Sequence, residues 1–445
     1  PVLLRKTEEP SRYNTLIRLF SMGLCVPADE AAKALNPMPL EPLVEMGLLR
    51  ADSPGIRSIA RLGVFENLYF LSDFTLREKS ECVDREGVLS VNASSVTLAN
   101  LTVRRRSETV LDLGTGCGIQ SMLAAKHAAR VTGTDVNPRA LDFAEFNARL
   151  NGFQNLEWRE GSYFEPVHGQ QFDLVVSNPP YVISPESSLL YRDSGLRGDS
   201  VSQTIVQSAG TYLKESGYAS LLLNWHHASD QDWHERPLEW VEDNGCDAWL
   251  IRFADEDPLS YAETWLAEVF NRDPRQYEER LRNWLKYYGE LGIRRMAFGQ
   301  LTLRKRKAEE NWFRCDILPA IQGFCPCGDQ VQRVFAAEDL MNSSSGDTEL
   351  LSRRFAIAPD VVLDQRLAPR ASGWAAEAMN LHFARGLPFS GNVDATLLRL
   401  ITLCDGKSPL KDVIKCVCKD SGATGASAEH CLDLAKALIR WGMLT

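Results

Sequence analysis

The residues Val110-Leu-Asp-Leu-Gly-Thr-Gly-Cys-Gly118 decide how the rest of the chain is read. A short apolar run (Val110, Leu111, Leu113) passes into Gly114, Gly116 and Gly118, and a helical pattern follows through Ser121-Met-Leu-Ala-Ala125. That is the pattern of a buried parallel strand turning tightly into a helix. Glycine at such a turn lets backbone pass close to a ligand, and the first helical turn offers free N–H groups. The spacing G-x-G-x-G lacks the third glycine of the dinucleotide fingerprint, whose open approach a pyrophosphate needs. A nucleotide-like ligand without a pyrophosphate fits better than NAD.

Two further stretches extend this reading. Arg130-Val-Thr-Gly-Thr134 is a second strand and ends in Asp135, about 20 residues beyond the first glycine, where an acid commonly hydrogen-bonds ribose hydroxyls. Phe172-Asp-Leu-Val-Val-Ser177 is another buried strand, delivering Asn178-Pro179-Pro180-Tyr181 to the carboxyl edge of the sheet. Prolines fix φ and restrict the residues before them, so Asn178 and Tyr181 sit in a stiff loop suited to aiming a nitrogen.

Around these motifs, residues 87–307 alternate between strand and helix patterns. Strands are predicted at Val110 to Leu113, Val131 to Thr134, Leu156 to Glu160, Leu174 to Ser177, Tyr218 to Leu223, Cys246 to Phe253 and Met296 to Leu303. Helices are predicted from the glycine turn to Ala129, from Pro138 to Asn151, near Val201 to Leu213 and from Asp230 to Asn244. A long aromatic helical insert runs over about 257–291. This alternation predicts an α/β fold with a doubly wound, Rossmann-like parallel sheet.

Small modules flank it. In 1–86, helical patterns over Ser11 to Asp52, the third in Pro42 to Leu49 and ending near Gly47, precede alternating segments at Ile56 to Leu62 and Leu68 to Leu71. This suggests a winged-helix-like module that serves either as a packing cap or in substrate recognition. Residues 308–373 read as linker and irregular segment, with Asn342-Ser-Ser-Ser-Gly-Asp347 an exposed loop. The tail, 374–445, is predicted helical at Ala375 to Arg385, Asp394 to Leu403, Leu410 to Cys418 and Ala428 to Trp441. Its Ala437-Leu-Ile-Arg-Trp-Gly-Met-Leu444 echoes Pro42-Leu-Val-Glu-Met-Gly-Leu-Leu49 and suggests a second winged-helix-like module.

At 445 residues and 44% apolar content, the chain has material for more than one domain and a real core. It contains no run of about 18 apolar residues, and Pro1 to Glu9 are too charged for a secretory signal. A cytoplasmic location without membrane contact is expected. The 11 cysteines, including Cys25, Cys82, Cys117, Cys246, Cys315, Cys404 and Cys431, are scattered and read as reduced thiols. The pairs Cys325/Cys327 and Cys416/Cys418 lack structural zinc spacing, so no metal is expected. A net charge of −10 disfavours a nucleic-acid partner, although Arg104 to Arg106 and Arg304 to Lys307 are basic clusters. The sequence carries no signal for an oligomeric state.

The whole unit from Val110 to Tyr181 resembles the class I S-adenosylmethionine (SAM)-dependent N-methyltransferases with an Asn-Pro-Pro-Tyr motif. Within that class it is similar to the small-domain group that contains the release-factor glutamine methyltransferases. The resemblance continues through Tyr191-Arg-Asp-Ser-Gly-Leu-Arg-Gly-Asp199 and Leu221-Leu-Leu-Asn-Trp225 and covers roughly residues 90 to 300. It implies SAM as cofactor, with Asp112, Gly114, Thr115, Gly116, Gly118, Asp135, Ser162, Phe164 and Asn178 around it. Asp112 would orient the glycine loop or the methionine end, and Phe164 would give the adenine an apolar contact. Ser162 departs from the pattern, since an acid commonly holds the adenine amino group there. The segment Val88 to Thr97 would cross near the cofactor, with Ser94 and Ser95 placed either to reach it or to cap a helix beginning at Val96. His226 and His227 lie near the expected site edge but read as surface or core histidines.

The resemblance also implies a catalytic set of Asn178, Pro179 and Tyr181. An amide nitrogen shares its lone pair with a π system and is a poor nucleophile. The Asn178 side-chain oxygen and the Pro179 carbonyl would accept its two N–H groups, and Tyr181 would stack on the flat acceptor. The leading expectation is methyl transfer to a planar nitrogen of a macromolecular substrate, a glutamine side chain of a protein ahead of a nucleic-acid base (adenine N6 or guanine N2). A third reading, a non-catalytic winged-helix binding protein with a relic methyltransferase domain, is favoured by Ser162 and opposed by the intact glycine loop and Asn178.

Overall fold

Eight strands form one sheet: β1 (Ser107–Leu113), β2 (Ala128–Asp135), β3 (Leu156–Glu160), β4 (Phe172–Ser177), β5 (Leu213–His227), β6 (Cys246–Glu256), β7 (Arg295–Lys305) and β8 (Phe313–Ile317). The computed structural model describes residues 2–74, 85–187, 189–193, 195–228, 232–318, 325–343, 346–370, 373–420 and 427–445. The chain divides into two compact units, Pro1–Leu98 with Arg105–Pro319, and Ala99–Arg104 with Ala320–Thr445.

In the first unit the strand order is β8-β6-β7-β5-β4-β1-β2-β3. All neighbours run parallel except β7, which is antiparallel to both β5 and β6. From central β1 the chain steps outward to β3 and then crosses back to β4. The strand order therefore reverses at β1/β4, the place where open α/β sheets bind ligands. Register then fixes the site: Leu113 lies opposite both Thr134 of β2 and Ser177 of β4. The next residues, Gly114, Asp135 and Asn178, thus occupy equivalent levels at the carboxyl end of adjacent strands.

Helices α1 (Ala93–Leu101), α2 (Ile119–Ala125), α3 (Pro138–Leu150), α4 (Ser200–Ala209), α5 (Glu235–Val241), α6 (Pro258–Arg272) and α7 (Pro274–Glu290) accompany the strands. Every residue of α2 is buried, so it carries no polar stripe. One core cluster joins Leu111, Phe172, Val206, Leu223, Trp225, Trp240 and Leu301. At about 25 cal/mol per Å² of apolar surface removed from water, such side chains dominate the stabilisation of the sheet.

Several elements differ from the sequence expectation. The first helix stops at Ala125 rather than Ala129, because Ala128 pairs with Ser107 and begins β2; pairing overrides alanine's helix preference. The helix expected from Asp230 contracts to Glu235–Val241, and residues 229–231 lie outside the described set. The insert is two helices, because Pro274 cannot continue α6 and Asp273 caps α7 by accepting from the Arg275 and Gln276 N–H groups.

At the amino end, helices Val2–Lys6, Arg12–Leu16, Ala28–Leu35 and Leu40–Glu45 precede two antiparallel hairpins, Leu49–Asp52 with Gly55–Ser58 and Arg61–Phe65 with Leu68–Ser72. The helix expected from Pro42 to near Gly47 starts at Leu40 and ends at Glu45; Gly47, at φ 74°, turns the chain into the strand at Leu49. Strand Leu68–Ser72 is fastened to α3. Asn147 bonds the Leu71 N–H and carbonyl (2.7 and 2.8 Å), and Asn151 does the same for Tyr69 (2.9 and 2.7 Å).

The second unit overturns the linker expected over 308–373. Helices Gly328–Met341 and Gly346–Ser352 and the hairpin Val361–Arg370 with Gly373–Phe383 occupy most of its share of that stretch, and β8 already extends the sheet of the first unit. In the expected loop Asn342 to Asp347, Gly346 opens a helix, while residues 344 and 345 lie outside the described set. The helix expected at Ala375 to Arg385 is a strand, paired along Val361–Arg370 with one register shift between Arg366 and Leu367 and burying Leu381 and Phe383. Helices Ala395–Leu403, Leu410–Asp420 and Ala428–Arg440 match the expectation closely.

Two helices, a left-handed glycine and an extended segment follow one another at both ends. In the first the run ends with Gly47 and Leu49, and in the second with Gly442 (φ 72°) and the bridge of Leu444 to Ile357. Among the described residues no helix is long and apolar enough to cross a membrane. Burial raises the thiols of Cys117, Cys246 and Cys327 to about 12; Cys325 and Cys416 are exposed, and Cys82 lies outside the described residues.

Candidate active site

The carboxyl ends of β1, β2 and β4 open on one cavity. Its wall contains Asp112, Gly114, Thr115 and Gly116, then Asp135, then Ser162 and Tyr163, then Asn178, Pro179 and Pro180, and it is closed by Gly87 to Ser90, Asn92 and Ser95.

The glycine turn has two kinds of glycine. All three are left-handed, at φ 74° (Gly114), 55° (Gly116) and 86° (Gly118), a region costly to residues bearing a Cβ. A Cβ at Gly114 or Gly116 would meet nothing within 4 Å, whereas one at Gly118 would lie 3.2 Å from the Ala144 Cα. The first two face open space where a ligand can approach backbone. Gly118 does not line the cavity; it lets α2 pack closely on α3.

Two carboxylates hold this turn. Asp112 is 1% exposed, and its Oδ2 accepts from Thr115 Oγ1 (2.7 Å), Ser121 Oγ (2.7 Å) and Ser121 N–H (2.9 Å). Burial raises its carboxyl to about 6, and those hydrogen bonds pull the other way. Asp135 accepts the Gly116 N–H on Oδ2 (2.9 Å) and the Asn137 N–H on Oδ1 (3.0 Å). Burial raises it also. A carboxylate oxygen accepts more than one hydrogen bond, so Asp135 keeps capacity toward the cavity it lines.

At the other end, the Asn178 Nδ2 donates to Ser94 Oγ at 3.2 Å. This uses the amide N–H₂ on the protein and leaves Oδ1 as acceptor. The Pro179 carbonyl already accepts the Tyr181 N–H at 2.8 Å in a three-residue turn, and one lone pair remains. Tyr181 is half-buried, tilted against Phe298 at 5.4 Å and absent from the cavity wall. Burial raises its hydroxyl to about 12 despite a hydrogen bond with Ser94. The stacking surface expected of Tyr181 is thus turned into protein.

Phe164 is also displaced from its expected place. It is 4% exposed and stacks on Tyr212 at 4.3 Å inside the core. The preceding Tyr163, held at φ 47°, lines the cavity beside Ser162 instead. His227 is buried, with Nε2 3.3 Å from Asp255; His226 is half-buried and its pKa is lowered by burial. Neither lines the cavity.

Sequence reading missed Asn92, Tyr163, Leu190, Tyr191 and Asp193 as wall residues. Asn92 had a signal, since an Asn two residues before Ser-Ser is a good helix cap. Its Oδ1 accepts from the Ser95 N–H at 2.9 Å, so α1 begins at Ala93 and the cap is Asn92 rather than either serine.

The insert braces the loop that follows Tyr181. Tyr288 donates to the Ile183 carbonyl (2.9 Å), Tyr261 accepts the Ile183 N–H (3.1 Å), and Tyr287 accepts the Gly198 N–H (2.7 Å). Glu186 is bonded by Arg192 (3.0 Å), Trp284 Nε1 (2.8 Å) and Arg280. Buried Arg192 also pairs with Asp193, whose carboxylate accepts from Ser184. Burial pushes the Glu186 carboxyl up, but Arg280, Trp284 and Arg192 hold it below its usual value.

Residues 83–235, which contain every wall residue, match the model of the methyltransferase small domain; 1–59 and 332–445 match models of two domains of unknown function. The chain is 33% identical over 166 residues to a release factor glutamine methyltransferase of Aliivibrio fischeri, covering 34% of this chain and 55% of that one. Identity is 31% over 166 residues to a ribosomal protein uL3 glutamine methyltransferase of Bradyrhizobium diazoefficiens, covering 34% and 52%. In both cases the chain spans about half of the relative's length. A putative protein N5-glutamine methyltransferase of Methanocaldococcus jannaschii is 32% identical over 135 residues, 29% of this chain. Since 68% of that archaeal protein is covered, and the small-domain model spans the whole wall of the cavity, this chain belongs to the methyltransferase small-domain family.

Proposed function

We propose that the chain is a SAM-dependent N-methyltransferase whose acceptor is a planar amide, a glutamine side chain of a protein. The observation that carries the reading is the common cavity: the open glycine turn and the Asn178-Pro-Pro-Tyr181 loop leave adjacent parallel strands at one level. The residues present fit SAM. Gly114 and Gly116 leave backbone uncovered and Asp135 retains acceptor capacity, while Ser162 and Tyr163 give the far wall a hydroxyl and an aromatic ring. Asp135 would hold the ribose hydroxyls, the turn braced by Asp112 the amino-acid end, and Ser162 with Tyr163 the adenine. When bound, SAM supplies an electrophilic methyl.

The protein's part is to orient a poor nucleophile. Asn178 Oδ1 and the free lone pair of the Pro179 carbonyl would accept the two amide N–H groups, drawing the nitrogen towards tetrahedral geometry and offsetting its developing positive charge. The proline-fixed loop holds these acceptors without reorganisation, and positioning supplies several kcal/mol of barrier reduction. A net charge of −10 supports protein over nucleic acid, as do relatives named for protein glutamine methylation. The run of short helices followed by two hairpins at the amino end supports a winged-helix-like module; its helix Leu40–Glu45 carries Glu41 and Glu45, which suits contact with protein better than with phosphate.

Two experiments test this. Calorimetric titration should show SAM binding; none at near-millimolar ligand, in a folded sample, removes the enzyme reading. Incubation with methyl-labelled SAM and cell extract should yield label released by protease. Label that resists protease and disappears with nuclease overturns the protein acceptor.

A further inference from the structure

We propose that Asn92 and Ser94 are positioning residues that fix which face of the Asn178 side-chain amide points into the cavity. This deepens the reading above and rests on it.

The argument starts from a group with no freedom. The Ser95 backbone N–H can only donate, and it donates to the Asn92 side chain at 2.9 Å, so the atom of Asn92 facing the helix end is its oxygen. Ser94 Oγ lies 2.8 Å from that same oxygen, which can only accept, so the Ser94 hydroxyl proton points at Asn92. Ser94 then has only lone pairs for its other neighbours. The Asn178 amide stands 3.2 Å away and must present Nδ2.

With its proton on Asn92, Ser94 offers Asn178 a lone pair, so Asn178 turns Nδ2 towards Ser94 and Oδ1 away from it. A side-chain amide is nearly symmetric in shape, and packing alone distinguishes its two faces poorly. The flipped amide would offer the acceptor nitrogen another N–H₂ where an acceptor is required. A backbone donor at the start of α1 thus decides, through two side chains, the polarity of a group just beyond β4. Asn92, on the cavity wall, sits where occupancy of the cavity and the relay meet.

The test uses the full chain and measures label transferred from methyl-labelled SAM into extract protein at saturating SAM, with SAM affinity measured by calorimetry. Ser94→Ala should lower the rate by about tenfold, the worth of one such hydrogen bond, with SAM affinity unchanged within about twofold. Ser94→Thr, which keeps the hydroxyl, should restore the rate. In ¹⁵N-labelled protein the Asn178 side-chain N–H₂ resonances, assigned by their loss in Asn178→Asp, should move in Ser94→Ala and stay in Ser94→Thr. If Asn178→Ala is inactive while Ser94→Ala transfers at the wild-type rate, the relay is overturned and the catalytic reading stands. Equal losses in Ser94→Ala and Ser94→Thr overturn the relay as well. Wild-type transfer by Asn178→Ala overturns the underlying reading and the relay with it.

Discussion

The two ends of the cavity are built in different ways. The glycine-turn end is made from one contiguous stretch and the strand beside it: Gly114 to Gly118 supply the shape, and Asp112 and Asp135 grip it through bonds spanning no more than 19 residues. The acceptor end is assembled from distant parts. Asn178 is oriented by Ser94, 84 residues earlier, and the loop after it is held by Tyr288 and Trp284, some hundred residues later. A site element whose partners are local survives change elsewhere in the chain, whereas one held by remote partners is exposed to it. The difference predicts separable behaviour: damage to the remote supports should impair transfer while leaving cofactor affinity intact.

The largest expected effect is at Asn178. Asn178→Ala should reduce methyl transfer by about 10²-fold or more, the scale set by deleting one preorganised group facing transition-state charge, while SAM affinity changes little. Parallel loss of affinity would show that the two ends are one unit.

Next comes the pH dependence of the glycine-turn end. Burial raises Asp112 from 3.8 to about 6, so across that window the folded chain keeps a proton the unfolded chain has released. Its contribution to stability is full below pH 3.8 and falls as pH rises through about 6, by at most about 3 kcal/mol at 1.36 kcal/mol per pH unit. Asp112→Asn, which can accept the same three hydrogen bonds, should flatten this dependence in urea titrations run at pH 4.5 and 7. An unchanged slope assigns the pH dependence elsewhere.

Glu186→Gln addresses the acceptor end. It removes the anion shared by Arg192, Arg280 and Trp284 and should cost about 2 kcal/mol, below a fully buried pair because the cluster is partly solvated. A higher apparent KM for extract protein with an unchanged SAM affinity would sharpen the contrast; an unchanged KM would limit the cluster to stability. The smallest effect is expected at Phe164→Leu: about 1 kcal/mol of stability for a near volume-conserving core change, with no change in SAM affinity by calorimetry. Weaker SAM binding there would return Phe164 to the cofactor's surroundings.

The legible parts were those whose cause is local. A strand ending in left-handed glycines is written as Gly114, Gly116 and Gly118 because other residues strain there, and proline's fixed φ makes the Asn178 loop visible in the same way. Asp135 was found because a strand and its end are contiguous. Tyr163 rather than Phe164 lines the cavity, because adjacent side chains point in different directions where Tyr163 takes φ 47°. The strand Gly373–Phe383 was misread because its alanines favour helix, while its pairing with Val361–Arg370 is decided by a partner strand. The Glu186 cluster had no signal, since its members lie up to 98 residues apart.

The sequence by itself determined the alternating strands and helices, the backbone shape of the turn and the presence of a proline-stiffened asparagine, because glycine, proline and apolar periodicity act on their immediate surroundings. Only the tertiary structure decided that Gly114, Asp135 and Asn178 stand at one level, that Tyr181 turns inward, and that Asn178 presents its oxygen. Strand register, side-chain burial and hydrogen-bond direction depend on which distant groups meet, and that is settled when the sheet assembles.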